Sequence, residues 1–314
     1  MNKNIKIQTI QDEVVAHLQS KDCCSLAFLS AYLRSNLVVN FAQMSTIKFR
    51  GYNAFLSHYI ISKIKAFATK IELNFTYTIK QLQKSCQILV IGSKQDIKEF
   101  LLYISILIKN EDGLVEISNN INGLLLIDDC CKLEYLKGIF LANATLSRSS
   151  NHLSFAFRDK SFCDDVAVLL QLQKIPTKYT FMSSATDTKQ HFLYIYGLQN
   201  IADMLALMGA SKSTLLLYND ITINEQKKQA NRSLNCTIAN IDKSINYCIQ
   251  TVQYCQKIVD QNATHLLTKT LQQTLQTRLF NPQDPLQSLA VILGVSKSCV
   301  KNRLEKIKEV SNNI

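Results

Sequence analysis

Two vicinal cysteine pairs, Cys23-Cys24 and Cys130-Cys131, are the first residues of this 314-residue chain whose types and spacing suggest chemistry. Four thiols invite three readings: a metal site, a redox couple or packing. Neighbouring side chains on a helix point about 100° apart, so one pair does not chelate one ion comfortably. Buried thiols in a reducing compartment behave as small hydrophobes. The ten cysteines are therefore read as packing, and the sequence calls for no metal, no cofactor and no catalytic residue. The other candidates are weaker. None of the five histidines is paired at ligand spacing. GASKST at 209–214 hints at a phosphate loop, but Ala206 and Ser211 stand where that loop has glycine. Asp128-Asp129 and Asp164-Asp165 lie beside helix starts, where the helix dipole accounts for them.

A different chemistry is written in LQSLAVILGVSKSCVKNRLEKI, near the end of the chain. Ala290 is small where two helices cross, Gly294 supplies the turn, and Val300 anchors the next helix. This is the spacing of a DNA-binding helix-turn-helix, placed at 285–308. Ser296 is a good N-cap for the second helix. With Val300, Leu304 and Ile307 inward, Lys297, Ser298, Lys301 and Asn302 turn outward, and these types suit reading base edges in a major groove. Arg303, Lys306 and Lys308 are assigned to phosphates. A solvated helical hairpin is the competing reading, and Glu305 on the outer face favours it.

The elements that position these residues show an internal duplication. CCSLAFLSAYLRSN at 23–36 and CCKLEYLKGIFLAN at 130–143 align at Cys23/Cys130, Cys24/Cys131, Leu26/Leu133, Leu29/Leu136 and Asn36/Asn143. Each copy precedes the same order of periodic segments. In the first half these are the strands LVVNF and STIKFR, a helix through YNAFLSHYIISKIKAFATK, the strands IELNFTYTIK and CQILVIG, and a helix through KQDIKEFLLYISILIK. HLSFAFR, CDDVAVLLQLQK, TKYTFMS, HFLYIYG and NIADMLALMG repeat that order. The expected fold class is α+β, with two halves of antiparallel sheet around the repeated helices, followed by an all-α region. The halves are placed at 1–109 and 130–210 with a linker at 110–129. A second linker is placed at 211–224, and the helical domain at 225–314. Within that domain Ile238, Ile241, Ile245, Cys248, Val252, Cys255 and Val259 form a heptad stripe, read as packing within the domain rather than as a dimer seam. A further helix carries Leu267, Leu271, Leu275 and Leu279 and stops before Asn281-Pro282.

Composition sets limits on function. Hydrophobic residues make up 47% of the chain, enough for folded cores, and the net charge of +11 points to a polyanion such as double-stranded DNA. There is no uncharged apolar run of about 18 residues to span a membrane. MNKNIKIQTIQDEVVAHLQS has no signal-peptide core, so a cytoplasmic, nucleoid-associated location is expected.

YLKGIFLANA, within the second copy, resembles the motif that names the LAGLIDADG homing endonucleases. In those enzymes two such helices pack at the domain centre, and an acid near each helix end holds the metal that cleaves DNA. Leu136, Gly138, Ile139, Phe140 and Ala142 match the packing part, with Ala31 at the position of Gly138 in the first copy. The acid positions are Asn36 and Asn143, poor replacements for metal-binding carboxylates. A cleavage-dead domain of this type followed by a helix-turn-helix resembles the WhiA family of sporulation and cell-division regulators. KKQANRSLNCTIANIDKS at 227–244 strengthens the resemblance, through Arg232, Asn235, Cys236, Ala239 and Asn240. It implies a non-enzymatic DNA-binding regulator of transcription, cell division and chromosome segregation. The alternatives are a surviving metal-dependent endonuclease and a scaffold whose α+β domain binds another regulator protein. Oligomeric state is left open by the sequence.

Overall fold

The computed structural model describes residues 6–39, 45–82, 85–147, 151–183 and 189–314. Asn40 and Phe41 of the expected strand LVVNF, and residues 1–5 of the N-terminal stretch, lie outside these. The chain divides into two compact units, Met1–Ile223 and Asn224–Ile314.

The first unit opens with α1 (Ile7–Ala16), which the repeat does not include. Its first half then runs α2 (Asp22–Asn36), β1 (Val38–Val39), β2 (Thr46–Gly51), α3 (Ala54–Lys70), β3 (Phe75–Gln81), β4 (Cys86–Gly92) and α4 (Lys94–Tyr103). After a short connection the order returns as α5 (Asp129–Asn143), β7 (Ala144–Ser147), β8 (His152–Phe157), α6 (Lys160–Leu172), β9 (Lys178–Ser183), β10 (Lys189–Tyr196) and α7 (Leu198–Leu207). The two sheets have the same antiparallel order, β1-β2-β4-β3 and β7-β8-β10-β9. Alternation explains which face is inward: Ile47 and Phe49 of β2, and Leu153, Phe155 and Phe157 of β8, are buried. Equivalent strand-to-helix turns are capped alike. Asn53 accepts a hydrogen bond from Leu56 N at 2.8 Å, and Asp159 accepts one from Phe162 N at 2.7 Å.

At the centre α2 lies against α5, with Phe28, Tyr32, Tyr135 and Phe140 fully buried. A Cβ on Gly138 would come within 2.7 Å of the Phe28 carbonyl oxygen and 2.8 Å of the Ala31 Cβ. Only hydrogen at position 138 permits this approach, as the packing motif implies.

The structure corrects several expectations. The helix expected to reach residue 109 stops at Tyr103, because Ser105 takes a left-handed conformation (φ 58°) and Ile106 N closes back on Leu101 O at 2.9 Å. The released Leu107–Lys109 becomes β5, which pairs with β6 (Val115–Ile117) inside the expected linker 110–129. That linker is held to the core by the buried side of Arg34. Its guanidinium donates to Asn120 O and Ser118 O, both at 2.8 Å, and lies 4.1 Å from the Phe162 ring centroid. Asp165 accepts from Ile121 N at 2.7 Å, a more specific role than a dipole contact.

Residues 211–224, expected as a linker, are instead the first turns of α8 (Ser211–Asp260), one helix of 50 residues. Glu13 caps this helix, accepting from Lys212 N at 2.9 Å and Ser213 N at 3.2 Å and from Ser213 Oγ at 2.7 Å. A carboxylate thus already occupies the helix start within GASKST, which is further reason to discard a phosphate loop there. The structure also brings the two cysteine pairs together. Cys23 Sγ and Cys24 Sγ are 4.0 Å apart, and all four sulfurs of the two pairs lie within 4.8 Å of one another. Divergence along one helix does not separate the pairs, because two helix starts meet here. Burial, together with the neighbouring thiols, pushes the Cys131 thiol up to about 12 and raises that of Cys24 as well.

In the second unit α9 (Lys269–Phe280), α10 (Leu286–Leu293) and α11 (Lys297–Asn312) pack on the C-terminal part of α8. Cys248 and Cys255 of the heptad stripe are buried there and Val252 is half-buried, whereas Ile238, Ile241, Ile245 and Val259 are exposed. Packing within the domain therefore covers only part of the stripe. Length is the reason for Ile238, Ile241 and Ile245: 50 residues of helix extend about 75 Å, against about 18 Å for the 12 residues of α9. Val259 instead lies on the outer side of the packed segment, next to buried Ile258. Among the described residues no helix is long and apolar enough to cross a membrane.

Candidate nucleic-acid interface

The last two helices are joined by a tight turn that the sequence dictates residue by residue. Gly294 is left-handed (φ 63°), and Val295 N returns to Ala290 O at 3.0 Å. Ser296 then starts α11, its hydroxyl accepting from Cys299 N at 3.2 Å. Ala290 is 3% exposed and Val300 is fully buried, beside Leu289, Leu304 and Ile307. The structure thus brings Ala290, Gly294 and Val300 to one crossing. The loop before α10 is fixed by Arg278, which is fully buried and donates to Asn281 O at 3.3 Å and Asp284 O at 2.7 Å.

Burying Val300, Leu304 and Ile307 leaves Lys297, Ser298, Lys301 and Asn302 exposed on the other side of α11. The three proposed phosphate ligands separate. Lys306 is exposed, and Arg303 is half-buried with its guanidinium 3.4 Å from Thr274 Oγ1. Both line a groove of about 560 Å³ with Thr268, Thr270, Ser296 and Asn302. Lys308 does not line that groove: its ammonium lies 3.9 Å from Glu305 and 5.7 Å from the Tyr254 ring centroid. The starts of α9 and α11 both open on the groove, so amide N–H groups, hydroxyls and two cations converge there. That combination suits phosphate oxygens. Thr268 and Thr270 were invisible in sequence, because only the fold brings the start of α9 beside that of α11.

The first unit has a second polar concavity. The C-terminal ends of α2 and α5 open on a cleft of about 700 Å³, lined by Arg34, Asn36, Lys48, Arg50, Asn143 and Arg158 among others. Asn36 Nδ2 donates to Arg50 O, and Asn143 Nδ2 donates to Ala156 O at 2.8 Å. Each amide therefore ties its helix end to the strand of its own sheet, β2 or β8. An ionised carboxylate has no proton for that bond. Asn143 Oδ1 is buried without a hydrogen-bond partner at the same place.

Residues 230–311 match the family model described as the WhiA C-terminal HTH domain, and residues 132–227 match the WhiA LAGLIDADG-like domain. The chain belongs to the WhiA family. Among its relatives, the probable cell division protein WhiA of Brevibacillus brevis is 29% identical over 95% of this chain and 93% of that protein. The protein of the same name from Carboxydothermus hydrogenoformans is 27% identical over 96% of each. The solved full-length DUF199/WhiA of Thermotoga maritima shares the fold, with a TM-score of 0.50 at 15% identity over 97% of both chains. WhiA architecture, a LAGLIDADG-like α+β domain with antiparallel sheets followed by a helical region with a helix-turn-helix, accounts for the order of elements described above.

Proposed function

We propose that this chain is a sequence-specific, double-stranded-DNA-binding regulator that acts in cell division through its helix-turn-helix, without enzymatic activity. The observation that carries this is the outward face of α11. Lys297, Ser298, Lys301 and Asn302 are exposed beside a groove in which Arg303 and Lys306 meet two helix starts. The relatives are named as probable cell division proteins, and the matched domain is named for a helix-turn-helix. In the finer reading, α11 enters the major groove, Lys301 and Asn302 read base edges, and Arg303 and Lys306 hold flanking phosphates. Lys308, already engaged by Glu305 and Tyr254, contributes least. Bound operators then control transcription, including that of genes for chromosome segregation, in the cytoplasm and on the nucleoid. The charge of +11 supports the same partner.

Nuclease activity is disfavoured by the donor role of Asn36 and Asn143, since carboxylates that held a metal would have to give up those bonds to the strands. The test is selection of bound duplexes from a random pool with full-length protein, repeated for Lys301→Ala and Asn302→Ala. Each variant is expected to lose about 1–3 kcal/mol on the selected site and to relax preference at one base pair. Unchanged affinity and preference in both would remove α11 as the reading element.

A further inference from the structure

We propose that Cys23, Cys24, Cys130 and Cys131 form a mononuclear tetrathiolate site for a soft divalent cation, zinc in the first place, that clamps the starts of α2 and α5 together. The four sulfurs lie within 4.8 Å of one another, and each helix supplies an equivalent pair. Tetrahedral zinc with bonds of about 2.3 Å sets its sulfurs about 3.8 Å apart, so the widest pair has to close by only about 1 Å. The Cys23–Cys24 separation, 4.0 Å, already lies near that value. A disulfide, with a bond of about 2.0 Å, demands a much larger approach. Iron–sulfur clusters hold thiolates on separate irons, which suits a wider spacing than this.

The surroundings fit a bound anionic complex. A cation held by four thiolates leaves two negative charges, and two helix N-termini converge on it. Neither N-cap residue, Lys21 or Asp128, makes a side-chain capping bond, and the positive ends of two helix dipoles favour negative charge at this point. Two of the nearby acids are already matched: Asp22 is paired with Lys70, and Asp129 with Lys132 at 2.8 Å. Cys24 and Cys131 are buried, Cys130 is half-buried and Cys23 is exposed, giving a closed site with an entry side. The cysteine pairs and the asparagines Asn36 and Asn143 lie at opposite ends of the same helices, about 20 Å apart by helical rise. The clamp is thus separate from the polar cleft. Binding exchanges four thiol protons, released to solvent, for four metal–sulfur bonds, and it couples metal affinity to the packing of the two halves.

The test uses full-length protein purified under reducing conditions without chelator. Elemental mass spectrometry should find about one zinc per chain. Exchange with Co²⁺ should give intense thiolate-to-metal charge-transfer absorption and the strong red ligand-field bands of a tetrahedral tetrathiolate. The double variant Cys23→Ser/Cys130→Ser, which changes the two less buried sulfurs, should lose that spectrum. Chelation should lower the melting temperature of the wild type by several degrees and leave the variant unmoved. Metal-free protein that takes up Co²⁺ without that spectrum would overturn the proposal. So would thiol titration showing these cysteines as disulfides in protein that binds no metal. The wild-type cobalt spectrum decides even where the variant does not fold.

Discussion

Asn143 shows how much one side chain decides in this molecule. Its amide donates to Ala156 O, and Asn36 does the same to Arg50 O in the other half. Read as a sequence, the two asparagines are only missing acids. The structure gives them a positive task that depends on a proton an ionised acid lacks. Asn143→Asp is therefore expected to destabilise the first unit by about 0.5–1.5 kcal/mol, as the Ala156 carbonyl loses its donor beside a new charge. It is also expected to leave DNA uncut in Mg²⁺. Chemical denaturation and a cleavage assay check the two parts, and cleavage by this variant would reinstate the nuclease reading. The spacing of Ala290, Gly294 and Val300 was legible residue by residue because a turn and a crossing impose fixed types. The shared environment of the four cysteines was not, since contacts between residues 107 positions apart leave no periodic trace.

At the scale of elements, the duplication was legible and the helix ends were not. Strands and repeated helices announce themselves by alternation and by internal similarity, and the equal sheet orders follow. Helix stops usually announce themselves by glycine, of which this chain has eight. The left-handed residue after α3, α4 and α6 is Glu72, Ser105 or Lys174 rather than glycine, and in each case the next N–H closes back on the helix (Leu73 to Ala68, Ile106 to Leu101, Ile175 to Leu170). This is why α4 was expected to run into β5. Lys174→Gly should remove left-handed strain at an exposed stop and raise stability by up to about 1 kcal/mol, measured by urea denaturation. A loss of stability would show that the Lys174 side chain contributes more than its backbone costs. Gly138→Ala acts in the opposite direction. Its methyl group meets the Phe28 carbonyl, so the central helices must separate, at a cost of about 1–3 kcal/mol. A lowered melting temperature is expected, and an unchanged one would mean that α2 and α5 tolerate a wider spacing.

For the whole molecule, the division into an α+β unit and a helical unit assigns the work. The α+β unit has its own core and a polar cleft, while the helical unit carries the exposed face of α11 proposed to read DNA. The order of domains was legible because alternating segments stop and helical spacing takes over from residue 225. The continuity of α8 was not, because residues 211–224 fall between the repeat and the heptad stripe and read as a linker until the helix is seen to run through them. The most direct measurement is fluorescence anisotropy of full-length protein and of residues 1–223 on the selected duplex, across a salt series with Mg²⁺, with the DNA then run on a denaturing gel. Salt-sensitive binding by the full chain, loss of that binding in 1–223, and intact strands are expected. Equal binding by 1–223, or any cut strand, would contradict that expectation and move the DNA-handling surface to the cleft beside Asn36 and Asn143.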